Sequence, residues 1–301
     1  GASYNKRGEF QDSHGERIGP EVAQTDRQDT ETVDVNGRLS WQFTDNQKLS
    51  FGAQYYNDEQ DSEYGPDYGT GLAVLFGAEP TLNAVKGLDL DTQPRTKRSN
   101  FNLQYEHQDL LGQILNAEAY YRSETGRFYP SANYLAHSAI PSGGTYIVTQ
   151  SETDIDVWGA RLALQKAFDL GSRSLNLTYG MDYDFEQGSQ TAQQYNLGTF
   201  MASNGLTLDP QNEYAFGPDV DTSKFGLFLQ TQFDVTDHLN LQAGIRHERI
   251  DSEVQDSIPY SEAMVADAIP TYTPVALNGG TIKHDATLFN LGAVYHLTDA
   301  Q

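Results

Sequence analysis

Leu175-Asn176-Leu177-Thr178-Tyr179-Gly180-Met181-Asp182-Tyr183-Asp184-Phe185 is the longest unbroken stretch in which apolar and polar side chains take turns. Every odd position is apolar or aromatic, and every even one is polar or glycine. A period of two is that of an extended strand whose successive side chains point to opposite sides, so this segment reads as a strand with one greasy face. The same alternation spreads in both directions. Val33, Val35, Leu39, Trp41 and Phe43 oppose Asp34, Asn36, Arg38, Ser40 and Gln42, and Leu49, Phe51, Ala53 and Tyr55 follow with Gln54 and Tyr56 on the other parity. Phe101, Leu103 and Tyr105 form the next greasy face, then Leu115, Ala117, Ala119 and Tyr121. Downstream come Phe225, Leu227, Leu229 and Phe233, then Leu241, Ala243 and Ile245, then Phe289, Leu291, Ala293 and Tyr295. Between Ile155 and Phe168 the parity shifts near Val157 and Trp158, which predicts a bulge or a change of environment at a membrane boundary.

Together with the opening segment this makes about ten strands, most of them long enough to cross a bilayer at a tilt. Tight turns are predicted at 45–47, 110–112, 170–172 and 236–238, and long polar or mixed connections at 11–30, 60–95, 129–149, 189–220 and 254–281. Short and long connections alternate strictly, so all tight turns lie at one end of the sheet and all long loops at the other. Outer-membrane barrels have that asymmetry, whereas a soluble sandwich spaces its turns more evenly. Aromatics gather at the ends of the greasy faces, with Trp41 and Phe43 beside a turn and Tyr55, Tyr121, Tyr183 and Phe185 toward the loops, as interfacial girdles require. The expected fold is therefore all-β: an antiparallel up-and-down transmembrane β-barrel, present in part. A soluble antiparallel sheet with one wet face shows the same alternation, and only the packing of the greasy face separates the two.

Composition is compatible with this. The 301 residues carry 18 Tyr, 14 Phe and 27 Gly, and a mean hydropathy of -0.59 does not argue against a membrane when only alternate side chains meet lipid. No apolar run approaches the roughly 20 residues of a helical span. A net charge of -23, with 19 Lys and Arg against 42 Asp and Glu, argues against nucleic acid. Cysteine is absent, which removes disulfides and thiolate metal sites. The seven His show no His-Glu-x-x-His spacing. The pairs Asp89/Asp91, Asp182/Asp184 and Asp219/Asp221 lack the full ligand run of a calcium loop.

The distribution of cations is the remaining signal. Arg95, Lys97 and Arg98 cluster where a long loop descends into a strand, and Arg122 and Arg127 lie where the neighbouring strand rises. The tight turn at 110–112 joins these strands, so both groups are expected at one rim, accompanied by the flat surfaces of Tyr56, Tyr120, Phe128 and Tyr129. One reading is a positive spot for an anionic ligand. The other is that these cations offset nearby acids or touch lipid head groups.

The stretches QDSEYGPDYGTGL (60–72), AVKGLDLDTQP (84–94), HQDLLGQILNAEAYYR (107–122), QSETDIDVWGARLALQK (150–166) and PDVDT (218–222) resemble the barrel of TonB-dependent siderophore receptors. Within that family they look closest to ferric-aerobactin receptors, which take up a citrate-hydroxamate siderophore. The resemblance implies residence in the bacterial outer membrane, a plugged barrel of about 22 strands, a ferric siderophore as ligand carrying the iron, and a TonB-type energy-transducing partner acting through the plug. It implies no catalysed reaction and no resident cofactor. Residues 1–301 are then expected to be a partial barrel domain, with the plug and the closing strands lying outside it, and not to transport alone. The site residues expected from position are Tyr56, Arg95, Lys97, Arg98, Tyr120, Arg122, Arg127 and Tyr129. Rival expectations are a passive porin, a soluble acidic binding module, and an outer-membrane hydrolase built on His137 or His247 with an acidic or Ser partner.

Overall fold

The computed structural model describes residues 1–25 and 27–297. Its strands in chain order are β1 (Ala2–Lys6), β2 (Thr30–Thr44), β3 (Gln47–Gln60), β4 (Tyr64–Pro66), β5 (Ala84–Lys86), β6 (Arg95–His107) and β7 (Ile114–Arg127). They continue with β8 (Ser131–Ala136), β9 (Gly144–Leu170), β10 (Arg173–Tyr195), β11 (Pro210–Ala215), β12 (Val220–Asp234), β13 (Leu239–Val254) and β14 (Gly280–Tyr295). Ten of them form a single antiparallel wall in the order β1-β2-β3-β6-β7-β9-β10-β12-β13-β14. The chain simply goes up and down. Its tight turns close one edge, while β4, β5, β8, β11 and two short helices, α1 (Leu197–Ala202) and α2 (Tyr260–Ala268), belong to the long connections at the other. The turn between β6 and β7 shows why it is tight: Leu111 and Gly112 both take positive φ, and the Asp109 carboxylate accepts the Gly112 N–H at 3.0 Å.

Register fixes which side chains share a face. Leu177, Tyr179, Met181 and Tyr183 on β10 stand opposite Lys166, Leu164, Leu162 and Ala160 on β9, and opposite Thr231, Leu229, Leu227 and Phe225 on β12. This face is bare. No second sheet or helix covers it among the described residues, and Leu39, Trp41, Phe289 and Leu291 are each more than 60% exposed. A soluble sandwich would bury such residues against a partner sheet; lipid is the medium in which their exposure costs nothing. From Leu175 to Phe185 the greasy face runs ten residue steps, about 33 Å of strand, or about 25 Å of height at a 40° tilt, which matches the apolar band of an outer-membrane barrel.

The parity shift in β9 is no bulge. Both ladders run through Val157 and Trp158 without a slip, pairing them with Arg122 and Tyr121 on one side and with Glu186 and Phe185 on the other. Trp158 ends the greasy face, and the outward positions above it are Asp156, Asp154 and Glu152. The strand has left the hydrocarbon, which is the change of environment. Trp158 sits 5.6 Å from Tyr183 and 5.4 Å from Phe185, and Phe101 stacks on Tyr121, making the loop-side girdle. Trp41 and Phe43, 4.9 Å apart, belong to the turn-side one.

The buried apolar core lies outside the membrane band. β9 and β10 continue above it as 27- and 23-residue strands, and the long loops pack around them. Tyr68, Leu72, Leu90, Tyr129, Val148, Tyr195, Phe200 and Leu208 form one cluster drawn from three loops and the two strand extensions, with Val22 of the first loop against it. Its polar centre is satisfied internally: the Tyr195 hydroxyl donates to Gln150 Oε1 at 2.7 Å, and Gln150 Nε2 donates to the carbonyls of Thr92 and Phe128, both at 2.8 Å. Burial raises the Tyr195 hydroxyl above its usual pKa and pushes that of Tyr68 up to about 12.

Candidate functional site

The face opposite the greasy one looks into the lumen and is laced with polar contacts. Arg38 donates to Gln104 at 2.7 Å, and Gln104 donates to Glu118 at 3.2 Å. Arg246 on β13 holds Asp182 on β10 through two bonds of 2.7 and 2.8 Å, reaching across β12 where Gly226 offers no side chain. Lys48, Arg98, Lys224 and Arg246 are each paired with a carboxylate on this face, while Arg38, Arg122 and Arg161 are not, among the described residues.

The alternation distributes the eight expected site residues over three places. Tyr56, Arg98, Tyr120 and Arg122 face the lumen, because they share rows with Asp34, Asn100 and Asn102. Arg95, Lys97 and Arg127 are at the same rim but on the outer side, in line with Phe101, Leu103 and Tyr121. Tyr129 is 2% exposed inside the loop core. Their partners differ as well. Arg98 bonds Glu124 at 3.0 Å and lies 5.9 Å from the Tyr56 ring. Arg127 is bound to Glu152 at 2.5 Å, and Lys97 lies 6.0 Å from the Tyr55 ring. The structure thus brings Tyr120 and Arg122 together and sets Arg95, Lys97 and Arg127 apart from them.

Arg122 is exposed and, among the described residues, makes no hydrogen bond and no ion pair. It lines a recess of about 360 Å³ together with Asn100, Tyr120, Lys224, the carboxylates Asp184 and Glu186, and a cation that the sequence reading missed, Arg161. Arg161 Nη2 lies 3.3 Å from the Tyr120 hydroxyl, with the guanidinium 5.2 Å from that ring, and no carboxylate pairs with it. Its signal was available. Once Trp158, Ala160, Leu162 and Leu164 are taken as one unbroken outward face, Arg161 has to point into the lumen. Lys224 has a partner, Glu186 at 3.6 Å. The recess sits at the height of the loop-side girdle, since Tyr121 and Phe101 flank it on alternate positions of the same strands.

The two histidines of the hydrolase rival sit elsewhere. His137 is 3.2 Å from a Glu262 oxygen, and Tyr272 lies 3.2 Å from the same ring nitrogen while donating to Glu262 at 2.5 Å. The other nitrogen, Nδ1, accepts the Ala139 N–H at 3.1 Å. With both ring nitrogens occupied and no serine hydroxyl in the set, this cluster ties α2 to the hairpin after β8. Tyr272, the Val275 N–H and His137 hold the Glu262 carboxyl below its usual range. His247 stands on the outward face and meets Thr287 at 3.0 Å.

The profile of a family described as "TonB dependent receptor-like, beta-barrel" matches residues 40–301. The chain belongs to the TonB-dependent receptors. It is 31% identical to the rhizobactin receptor of Rhizobium meliloti (strain 1021) over 99% of its own length and 39% of the relative's. The ferric aerobactin receptor of Klebsiella pneumoniae is 29% identical over 99% of the chain and 40% of that protein. The chain thus spans about two fifths of these receptors. In fold it is similar to the ferric-catecholate import receptor Fiu from E. coli K12, with a TM-score of 0.59 at 13% identity, over 94% of the chain and 47% of Fiu. TonB-dependent receptors are outer-membrane β-barrels and transport receptors rather than enzymes, which places the bare greasy face in lipid.

Proposed function

We propose that this chain forms part of the wall and outer mouth of a receptor that binds a ferric siderophore and imports it with energy delivered by a TonB-type protein acting through a plug. The observation that carries the reading is the pair Arg122, at girdle height, and Arg161, deeper in the lumen level with Asp182, which line one recess and, among the described residues, form no ion pair with a carboxylate. In a chain of net charge -23, a recess lined by Arg122, Arg161 and Lys224 against Asp184 and Glu186 is a local exception in which cations outnumber carboxylates, and local charge governs what a mouth captures. Tyr120 between the two arginines adds a flat surface and a hydroxyl. An anionic, polar ferric complex of the citrate-hydroxamate class suits such a spot, and relatives named for rhizobactin and aerobactin support that class.

The test is equilibrium binding of ferric aerobactin to the full-length receptor. Replacing Arg122 and Arg161 together by Ala should weaken binding by about 10- to 100-fold, the loss of one or two charge-assisted hydrogen bonds. Arg127→Ala is the control. It already serves Glu152 on the outer side, so its removal should leave affinity within about twofold. Unchanged affinity in the double variant overturns the proposed mouth site, and competition by ferric catecholate and ferric citrate complexes reads out the ligand class.

A further inference from the structure

Gly159 is buried on the lumenal side of β9, in register with Tyr120 on β7 and with Asp184 on β10. A Cβ added there would lie 2.6 Å from the Tyr120 hydroxyl oxygen and 2.7 Å from both Tyr120 Cζ and Asp184 Oδ1. Those distances put the hydroxyl end of the Tyr120 ring, beside the Asp184 carboxylate, over the bare glycine. Arg161, two residues along the same strand, lies over that ring at 5.2 Å from its centroid and donates to its hydroxyl at 3.3 Å. Gly159, Tyr120 and Arg161 form a stack of floor, platform and cation. The wall uses the same device at Gly226, over which Arg246 passes. There the guanidinium ends on Asp182; at Gly159 it ends on no carboxylate.

We propose, on the reading of the mouth given above, that Gly159 is a positioning residue for anionic-ligand capture: it lets Tyr120 lie flat, and the flat ring aims the Arg161 guanidinium into the recess beside Arg122. A Cβ at 159 would meet the hydroxyl end of Tyr120 and the Asp184 carboxylate, so the ring has to tilt away from the strand and the seat of Arg161 moves with it. A flexible Arg held by a ring and a hydroxyl has already lost much of its freedom before the anion arrives, which is why the platform matters for affinity.

The experiment measures Kd for ferric aerobactin in the full-length receptor carrying Gly159→Ala, Tyr120→Ala, Arg161→Ala and the pairwise combinations. Gly159→Ala is expected to weaken binding by about tenfold, as much as Arg161→Ala does. In the Tyr120→Ala or Arg161→Ala background it should add less than about twofold, because the stack is already gone. A Gly159→Ala receptor that binds within about twofold of the original, or that loses the same factor in the Tyr120→Ala background, overturns the proposal. Should Gly159→Ala fail to reach the outer membrane, Tyr120→Ala in the same chain must restore insertion; failure to restore it shows that the glycine acts independently of the ring and equally overturns the proposal. If Arg122→Ala and Arg161→Ala both leave Kd unchanged, the mouth reading itself falls. If they weaken binding and Gly159→Ala does not, only the positioning role falls.

Discussion

Placing an arginine at position 181 tests whether the greasy face meets lipid. Met181 points outward between Leu162 on β9 and Leu227 on β12. It lies four residues below Phe185, at the upper end of the apolar band, and six above Leu175, at the lower end. At about 3.3 Å per residue and a 40° tilt these distances are about 10 and 15 Å of depth, so the side chain sits near the middle of the hydrocarbon. An arginine at that depth costs about 2–4 kcal/mol, whereas the same residue near the interface costs about 0–1 kcal/mol. Gln187, two residues above Phe185 on the same face, supplies the interfacial comparison. The assay is equilibrium folding of the full-length receptor into phosphatidylcholine vesicles against denaturant, followed by heat-modifiable gel mobility. Met181→Arg should lower folding stability by at least about 1 kcal/mol more than Gln187→Arg. Equal costs at the two positions, or a larger one at Gln187, would refute a lipid-facing surface, because burial against protein has no reason to follow depth in the bilayer.

Three further outcomes follow from the contacts described. Gly226→Val should block the path of Arg246 to Asp182; a double-mutant cycle with Asp182→Asn should give a coupling of about 1 kcal/mol, modest because the arginine is nearly a third exposed. Phe200→Ala removes a ring that is 2% exposed from the loop core; a cost of about 3–5 kcal/mol falls on the loops alone, so protease should cut the 189–220 loop faster while the wall keeps its heat-modifiable mobility. Glu262 has a depressed carboxyl pKa, so its contribution to holding α2 is fully present above the ordinary value of 4.5 and is lost as pH falls through the lower folded value. Protection of α2 against hydrogen exchange, corrected for the intrinsic pH dependence of exchange, should therefore hold down to pH 4.5 and fall only below it, and Glu262→Gln should abolish that dependence.

The wall was legible because its grammar is local. Leu175 to Phe185 and Phe225 to Phe233 each announce a face by alternation alone, and the tight turns at 110–112 and 170–172 sit between such faces. The loop core was not legible, for an equally physical reason. Tyr68, Leu72, Tyr129, Phe200 and Leu208 carry no common period; they meet because β9 and β10 rise past the girdle and give the loops a support. Lengthening of those strands is invisible to hydropathy, since Gln187, Ser189 and Thr191 are as polar as any loop. Arg161 was hidden by a related confusion: Ile155 and Val157 put apolar side chains on the lumenal parity just above Trp158, which imitates a slipped register. Of the candidate cations, rim height could be read from the chain, but the side of the wall required counting parity from Phe101 and Tyr121.

The shared cluster joining Tyr68, Tyr129, Tyr195 and Phe200 has a consequence for how the cell surface displays this protein. An antibody that sees the folded exterior meets a surface assembled from stretches more than a hundred residues apart. A peptide cut from residues 60–95 would expose Tyr68 and Leu72 to water and display a shape the intact bacterium never shows. Immunogens drawn from this exterior therefore need the strand extensions of β9 and β10 as their scaffold, and exchanging one connection between homologous receptors would disturb the epitopes of its neighbours.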